Sequence, residues 1–203
     1  MKACRFTLCV LVLLIANAAN ANECLAIDDD AERLVCFDAL FDEEQPNQLA
    51  EAPPESDWVV RVQTSEMTDE TNVYMTVRST DVVSCSWARG QPVTLMLRCQ
   101  EDTTSIIFQT GCHMTSSRYN DYGDVVYRLD SERPRTRGFV ESTNNRSLGL
   151  WSGGTAIPFI RAMLGKDRLL ARMTPYGDNP IEMEFNISGL DQAIVPLREA
   201  CGW

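Results

Sequence analysis

From Trp58 onward the apolar residues of this chain recur at every second position, a period that specifies strands rather than helices. Trp58, Val60 and Val62 alternate with Val59, Arg61 and Gln63. The same rhythm runs through Val73, Met75 and Val77, through Val125, Tyr127 and Leu129, and through Ile181, Met183, Phe185 and Ile187. One face of each strand is apolar and the other polar, as in antiparallel sheets with one solvated side. Val93–Cys99, Ser105–Thr110 and Arg168–Thr174 add three more strands. Turn residues punctuate them at Arg89-Gly90-Gln91-Pro92, Tyr122-Gly123-Asp124 and Tyr176-Gly177-Asp178-Asn179-Pro180,. Two helices interrupt the pattern. Ala156–Leu164 carries Ile157, Ile160 and Leu164 on one stripe, with Pro158 in its first turn and Gly165 to end it,. Ser188–Glu199 aligns Leu190, Ile194 and Leu197, with a kink or break at Pro196,. The expected fold is mainly β (α+β): an antiparallel β-sandwich or partly open barrel over residues 58–203, with two short packed helices.

The segment before Trp58 reads differently. Lys2 and Arg5 precede an apolar run from Phe6 to Ala16, and Ala19-Asn20-Ala21 supplies small residues for cleavage. These are the parts of a secretory signal peptide over residues 1–21, cleaved after Ala21 to leave Asn22 as the new terminus. Asn22–Phe41 has roughly helical apolar spacing, with Asp28 or Asp29 placed to cap a helix from about Asp30 to Leu40,. A helix this short is marginal alone, so residues 22–41 form an appendage. Asp42–Asp57 is acidic and carries three prolines, which marks a linker,.

Of the eight cysteines, Cys4 and Cys9 leave with the signal peptide. The remaining six are an even set in an exported chain and imply three disulfides in an oxidising compartment, the periplasm. Six thiols allow 15 pairings. Cys24–Cys36 would close the short helical segment, and Cys99–Cys201 would pin the terminus to the sheet. Cys85 and Cys112 then remain. Zinc sites need close ligand pairs such as CxxC, which are missing here, and the one histidine is His113,. The chain therefore calls for no metal or cofactor.

The formal charge is −11, and it becomes −13 once Lys2 and Arg5 are removed. Nucleic acid and anionic lipid both demand a positive face, so neither is an expected partner, and insertion of the mature chain into a membrane is not expected either. No nucleophile–base pair is visible: no GxSxG elbow accompanies His113, and Asp28-Asp29-Asp30 lacks a calcium-loop spacing,. No catalytic residue is assigned, and the chain reads as a non-enzyme. Binding is the better expectation. Arg98, Arg128 and Arg172 each sit at outward positions of separate strands and could form a cationic strip for carboxylate or phosphate groups. The alternative is internal ion pairing with Asp130, Glu101 or Glu141. Trp151 is either an exposed aromatic anchor or a core residue, and Trp203 is expected to pack in the core beside Cys201.

Several short motifs stand in fixed order: Leu97–Ile106 (LRCQEDTTSI), Val125–Asp130 (VVYRLD), LGLWSGG at 148–154, AIPFI at 156–160, a strand ending in TPYG, EMEFNISGL at 182–190 and PLREACGW at the terminus. In this order they resemble the VasI/TagO family of periplasmic proteins associated with type VI secretion systems. The resemblance spans about Trp58–Trp203. It implies a non-enzymatic accessory or binding protein whose partner is a component of the secretion apparatus or of the cell wall. The loops Ser79–Gln91 and Gly111–Gly123 lie outside the matched motifs and are where partner binding would sit. A second reading is an acidic periplasmic inhibitor of a basic cell-wall hydrolase, using Asp121 and Asp124 beside Tyr119 and Tyr122.

Overall fold

The computed structural model describes Cys24, residues 26–33, Cys36, residues 48–50 and residues 56–203. The expected signal peptide, its cleavage site and most of the expected linker lie outside these residues. The chain divides into two units, residues 1–46 and 47–203. In the first, Asp30–Arg33 and Cys36 are helical. Asp29 caps this helix, its carboxylate accepting from the backbone N–H groups of Ala31 and Glu32 at 2.9 and 3.0 Å,. A disulfide joins Cys24 to Cys36.

The second unit contains two antiparallel sheets. The strands are β1 Gln48–Ala50, β2 Val59–Thr64, β3 Thr71–Cys85, β4 Ala88–Gln100, β5 Thr103–Gln109, β6 Asp124–Leu129, β7 Arg135–Gly138, β8 Val140–Glu141, β9 Ser147–Leu150, β10 Arg168–Met173 and β11 Ile181–Asn186. The larger sheet runs β1-β2-β3-β4-β5-β9-β8 and the smaller β11-β10-β6-β7. Their inward faces share one core. Val73, Met75, Val77, Leu95, Leu97 and Phe108 come from the first sheet, and Val125, Leu129, Leu169, Met183 and Phe185 from the second. Phe108 links the layers, with its ring centroid 5.4 Å from Phe139 and 5.9 Å from Phe185. Among the described residues each sheet keeps two open edges, so this is a sandwich rather than a closed barrel,.

Period-two alternation predicts β2–β6, β10 and β11. Four strands carry no such signal. β1 lies inside the segment read as linker; it pairs its backbone with the open side of β2, which asks nothing of side-chain pattern,. β7 is exposed at every residue, and β8 and β9 are short. The largest difference is at the Ser79–Gln91 loop. There β3 and β4 continue as one long hairpin, with Val83 opposite Gln91 and Cys85 opposite Ala88. Irregular register between Arg78 and Val82 lets Pro92 lie within β4,. At the other end Glu101 and Asp102, both at positive φ, make the two-residue turn into β5,.

Helix α1 spans Gly153–Met163 and begins three residues before the expected start, so Pro158 lies in its second turn rather than its first. Pro158 is exposed, which leaves its ring free of the packed side formed by Ala156, Phe159, Ile160 and Met163. Gly165, at φ +69°, follows the helix end as its left-handed terminator,. The second predicted helix is two: α2 Leu190–Ala193 and α3 Val195–Ala200, broken at Ile194 just ahead of Pro196,. Two disulfides fasten this unit, Cys85–Cys112 and Cys99–Cys201. Among the described residues no helix is long and apolar enough to cross a membrane.

Candidate functional site

The three arginines of the expected strip do not come together. Arg98 projects from β4 in the larger sheet, whereas Arg128 and Arg172 belong to β6 and β10 of the smaller one. Strand alternation gave their side of a strand correctly but could not say which sheet each strand joins. Arg128 stands opposite Leu170 and Arg172 opposite Val126, so these two share the outer face of the smaller sheet. With Val126, Pro134, Leu170 and Glu182 they line a shallow cavity of about 230 Å³. Internal ion pairing fails as well. Among the described residues, the ion pairs are Asp30–Arg33, Glu132–Arg135, Glu132–Lys166 and Glu184–Arg168. Asp130 instead accepts from the backbone N–H groups of Asp167 and Arg168 at 3.0 and 2.9 Å, tying the start of β10 to the end of β6. Glu141 accepts from the Ser116 hydroxyl, which holds its carboxyl below the usual range,.

Arg98 and Trp151, by contrast, do meet. The Arg98 guanidinium carbon lies 5.8 Å from the centre of the Trp151 ring,. Trp151 is half-buried on the outer side of the larger sheet and is not part of the core. Its indole Nε1 donates to the Val140 carbonyl at 3.0 Å. The ring lies flat on Gly149, where a Cβ would come within 2.6 Å of it, so only glycine fits beneath,. Met96, Ile107, Gln109, Glu141, Ser142, Thr143, Asn144 and Ser147 complete a groove of about 510 Å³.

A second cluster occupies the end of the sandwich where the long hairpin turns. Trp87 at the hairpin tip is 66 % exposed and Tyr176 is 56 % exposed. His113 stands between them, 5.9 Å from Trp87 and 5.3 Å from Tyr176, and Tyr122 extends the row at 5.6 Å from Tyr176. Several bonds hold it. Cys85–Cys112 ties the hairpin to the loop after β5. Ser86 donates through its backbone N–H and its hydroxyl to Asp178, at 3.0 and 3.1 Å. The Tyr176 N–H donates to the His113 carbonyl at 2.8 Å, and the Gly177 N–H to the Tyr122 hydroxyl at 3.3 Å. Trp87 lies in the Ser79–Gln91 segment and His113 and Tyr122 in the Gly111–Gly123 loop, where partner binding is expected, but no local sequence signal brings Tyr176 to them. On the adjoining loop Tyr119 is 96 % exposed, with Asp121 and Asp124 also exposed.

Trp203 is partly buried against the core, and its indole donates to the Thr104 hydroxyl at 2.9 Å. Arg161 and Arg198 both lie 5.5 Å from its ring centre. Among the described residues no cluster of three histidine, cysteine or acidic side chains is placed to hold a metal ion.

Comparison with known proteins gives one strong result. No curated protein matches the chain. Among solved structures, invasion associated protein B from Bartonella henselae superposes with a TM-score of 0.44 at 13 % identity, over 74 % of this chain and 97 % of that one. The family model described as type VI secretion system VasI, EvfG matches residues 23–203. That match takes in Cys24 and Cys36 together with both disulfides of the sandwich, and on it this chain belongs to the VasI family of type VI secretion system proteins.

Proposed function

We propose that the protein is a non-enzymatic, exported accessory factor that serves a type VI secretion apparatus from the periplasm by docking a protein partner on its aromatic end. Three disulfides fit an oxidising compartment, and the charged N-terminal stretch followed by Ala19-Asn20-Ala21 fits export with cleavage after Ala21,. The observation that carries the docking reading is Trp87, largely exposed yet held at the tip of a cross-linked hairpin. A Trp that is already ordered loses little freedom on binding, and aromatic residues dominate the energetics of protein interfaces. Tyr176 and His113 extend the same surface.

The test is a Trp87→Ala/Tyr176→Ala double variant. Its stability should stay within about 1 kcal/mol of the parent, since both residues are mostly in solvent. Type VI secretion into the medium should fall several-fold. A stable double variant with full secretion would overturn the docking reading.

Tyr119, with Asp121 and Asp124 beside it, supports the second reading, an acidic loop inserted into a basic cell-wall hydrolase,. Inhibition of such an enzyme that disappears in an Asp121→Asn/Asp124→Asn variant would support it; undiminished hydrolysis at low salt would remove it.

A further inference from the structure

We propose that the groove between Arg98 and Trp151 is a binding site for a sugar that carries a carboxylate, such as an acidic N-acetylated amino sugar. It adjoins the aromatic end at Asn144, which lines both the groove and the cavity beside Trp87 and His113, and the proposal goes beyond the docking reading. At about 510 Å³ its volume falls in the range of small-molecule sites,. Its chemistry is mixed in a particular way. Met96 and Ile107 provide an apolar floor and Trp151 a flat aromatic wall. Gln109, Ser142, Thr143, Asn144 and Ser147 surround them with amides and hydroxyls. A sugar ring presents the matching surfaces: apolar C–H faces and a rim of hydroxyl groups.

The paired state of the sheet argues against an extended peptide. Peptides that bind sheets do so by adding a strand at an open edge, where backbone groups are available. Here the floor is β4 and β5, which are hydrogen-bonded on both sides, β4 to β3 and β5, β5 to β4 and β9. Recognition over this floor therefore comes from side chains, and a ligand seated on it must bring its own hydrogen-bonding groups.

Arg98 supplies the acid specificity. Its Nε donates to the Ser105 hydroxyl at 3.4 Å, which orients the fork. Among the described residues its terminal nitrogens have no protein acceptor, and no carboxylate lies within 4.0 Å of them. An unpaired guanidinium in a groove is matched to a carboxylate, which it can bind through two parallel hydrogen bonds. Glu141, in the same groove, is an acceptor suited to a hydroxyl or to the N–H of an acetamido group,. A ligand with a carboxylate, hydroxyls and an acetamido N–H meets all three kinds of partner.

The experiment is a titration of the full exported protein with the disaccharide of N-acetylglucosamine and N-acetylmuramic acid. Binding is followed by nuclear magnetic resonance on the Trp151 indole N–H and the Gln109 side-chain amide. Diacetylchitobiose, which has the acetamido groups and no carboxylate, is the neutral control, and a short acidic peptide is the second probe. Saturable shifts are expected for the acidic disaccharide. Binding of the neutral sugar, and binding of the acidic one to Arg98→Ala, should each be weaker by about tenfold or more, the scale of one charge-assisted hydrogen bond. Trp151 also anchors backbone at Val140, so Gln109→Ala, at an exposed position, serves as the second variant and should weaken binding without loss of fold. The Trp87→Ala/Tyr176→Ala protein should bind the disaccharide like the parent, so failure of the docking reading leaves this one standing. Three results would overturn the proposal: no saturable shift, a shift indifferent to Arg98→Ala, or tighter binding of the acidic peptide at the same residues.

Discussion

The two disulfides of the sandwich sit in contrasting surroundings. Cys99 is fully buried in the middle of the β3–β4–β5 layer, and its partner Cys201 follows α3 and packs against the core. Around that bond the C-terminal turn is held by other means too, including the Trp203–Thr104 hydrogen bond. Cys85–Cys112 instead stands at the end of the sandwich, directly beneath the exposed Trp87–His113–Tyr176 row. The first bond reinforces a region that packing already organises. The second, itself buried with Val83, Ala88 and Met114, fixes the shape of the exposed surface above it. One chemical bond thus serves stability at one end and pre-organisation at the other, and the two uses separate under mutation.

Removing Cys99–Cys201 should have the largest effect on stability. Its sequence separation of 102 corresponds to a chain-entropy contribution of about 4.7 kcal/mol, an upper figure if the reduced chain keeps structure,. The Cys99→Ser/Cys201→Ser protein should melt about 10–20 °C lower, measured by circular dichroism. At temperatures below that transition its secretion activity should persist. Removing Cys85–Cys112, with a separation of 27, should cost about 3.5 kcal/mol, or about 7–14 °C,. Here secretion should be lost even where the protein is fully folded. If the two variants lose activity only in proportion to stability, the contrast between the two ends is wrong.

A smaller effect is expected on the outer face of the smaller sheet. Arg128→Ala and Arg172→Ala should each change unfolding free energy by no more than about 0.5 kcal/mol in denaturant titration, since neither arginine is ion-paired among the described residues,. A loss of several kcal/mol in Arg128→Ala would instead restore the structural pairing with Asp130 that sequence spacing suggested. The smallest effect is pH dependence. The Ser116 hydroxyl holds the Glu141 carboxyl below its ordinary value, so the native state binds this proton less readily than the unfolded chain,. The stability it contributes is present above the ordinary carboxylate range and is lost as pH falls through the lowered native value. Ser116→Ala should flatten the acid limb of stability against pH; an unchanged limb would show that the hydrogen bond is energetically silent.

What could be read in the sequence follows from the range of each signal. Val73, Met75 and Val77 report their own burial because alternation within one strand is local, and so do Ile181, Met183 and Phe185. β7 could not be read because Arg135–Gly138 is exposed throughout and pairs only by its backbone with β6. The β3–β4 extension was missed because Ser79–Cys85 and Arg89–Pro92 carry turn-forming and polar residues, and the hairpin is exposed at Thr80–Val82 and Arg89–Pro92 with buried positions at Ser79, Val83 and Cys85 that do not alternate regularly. The Arg98–Trp151 pairing escaped for a different reason. Both residues could be singled out, but Ser105, Ile107 and Gly149 join them only after β5 pairs with β4 on one side and β9 on the other. Which sheet a strand enters is a property of the whole chain, and no single strand encodes it.

The order of the cysteines carries a consequence for how the protein is made. Along the chain they run Cys85, Cys99, Cys112, Cys201, and the bonds join the first to the third and the second to the fourth. If the chain is exported N-terminus first, as proposed, an oxidant meets Cys85 and then Cys99. Those two lie toward opposite ends of the long hairpin: Cys85 faces Ala88, and Cys99 is eleven positions beyond Ala88 along β4. At the rise of an extended strand that is about 35 Å. A bond between consecutive cysteines is therefore incompatible with the hairpin. Either β3 and β4 zip together before oxidation reaches them, or the wrong bond must be reshuffled afterwards by thiol exchange. The hairpin that presents Trp87 is then also the proofreading element of its own cross-link, and its rate of closure sets how much disulfide isomerisation the cell must supply.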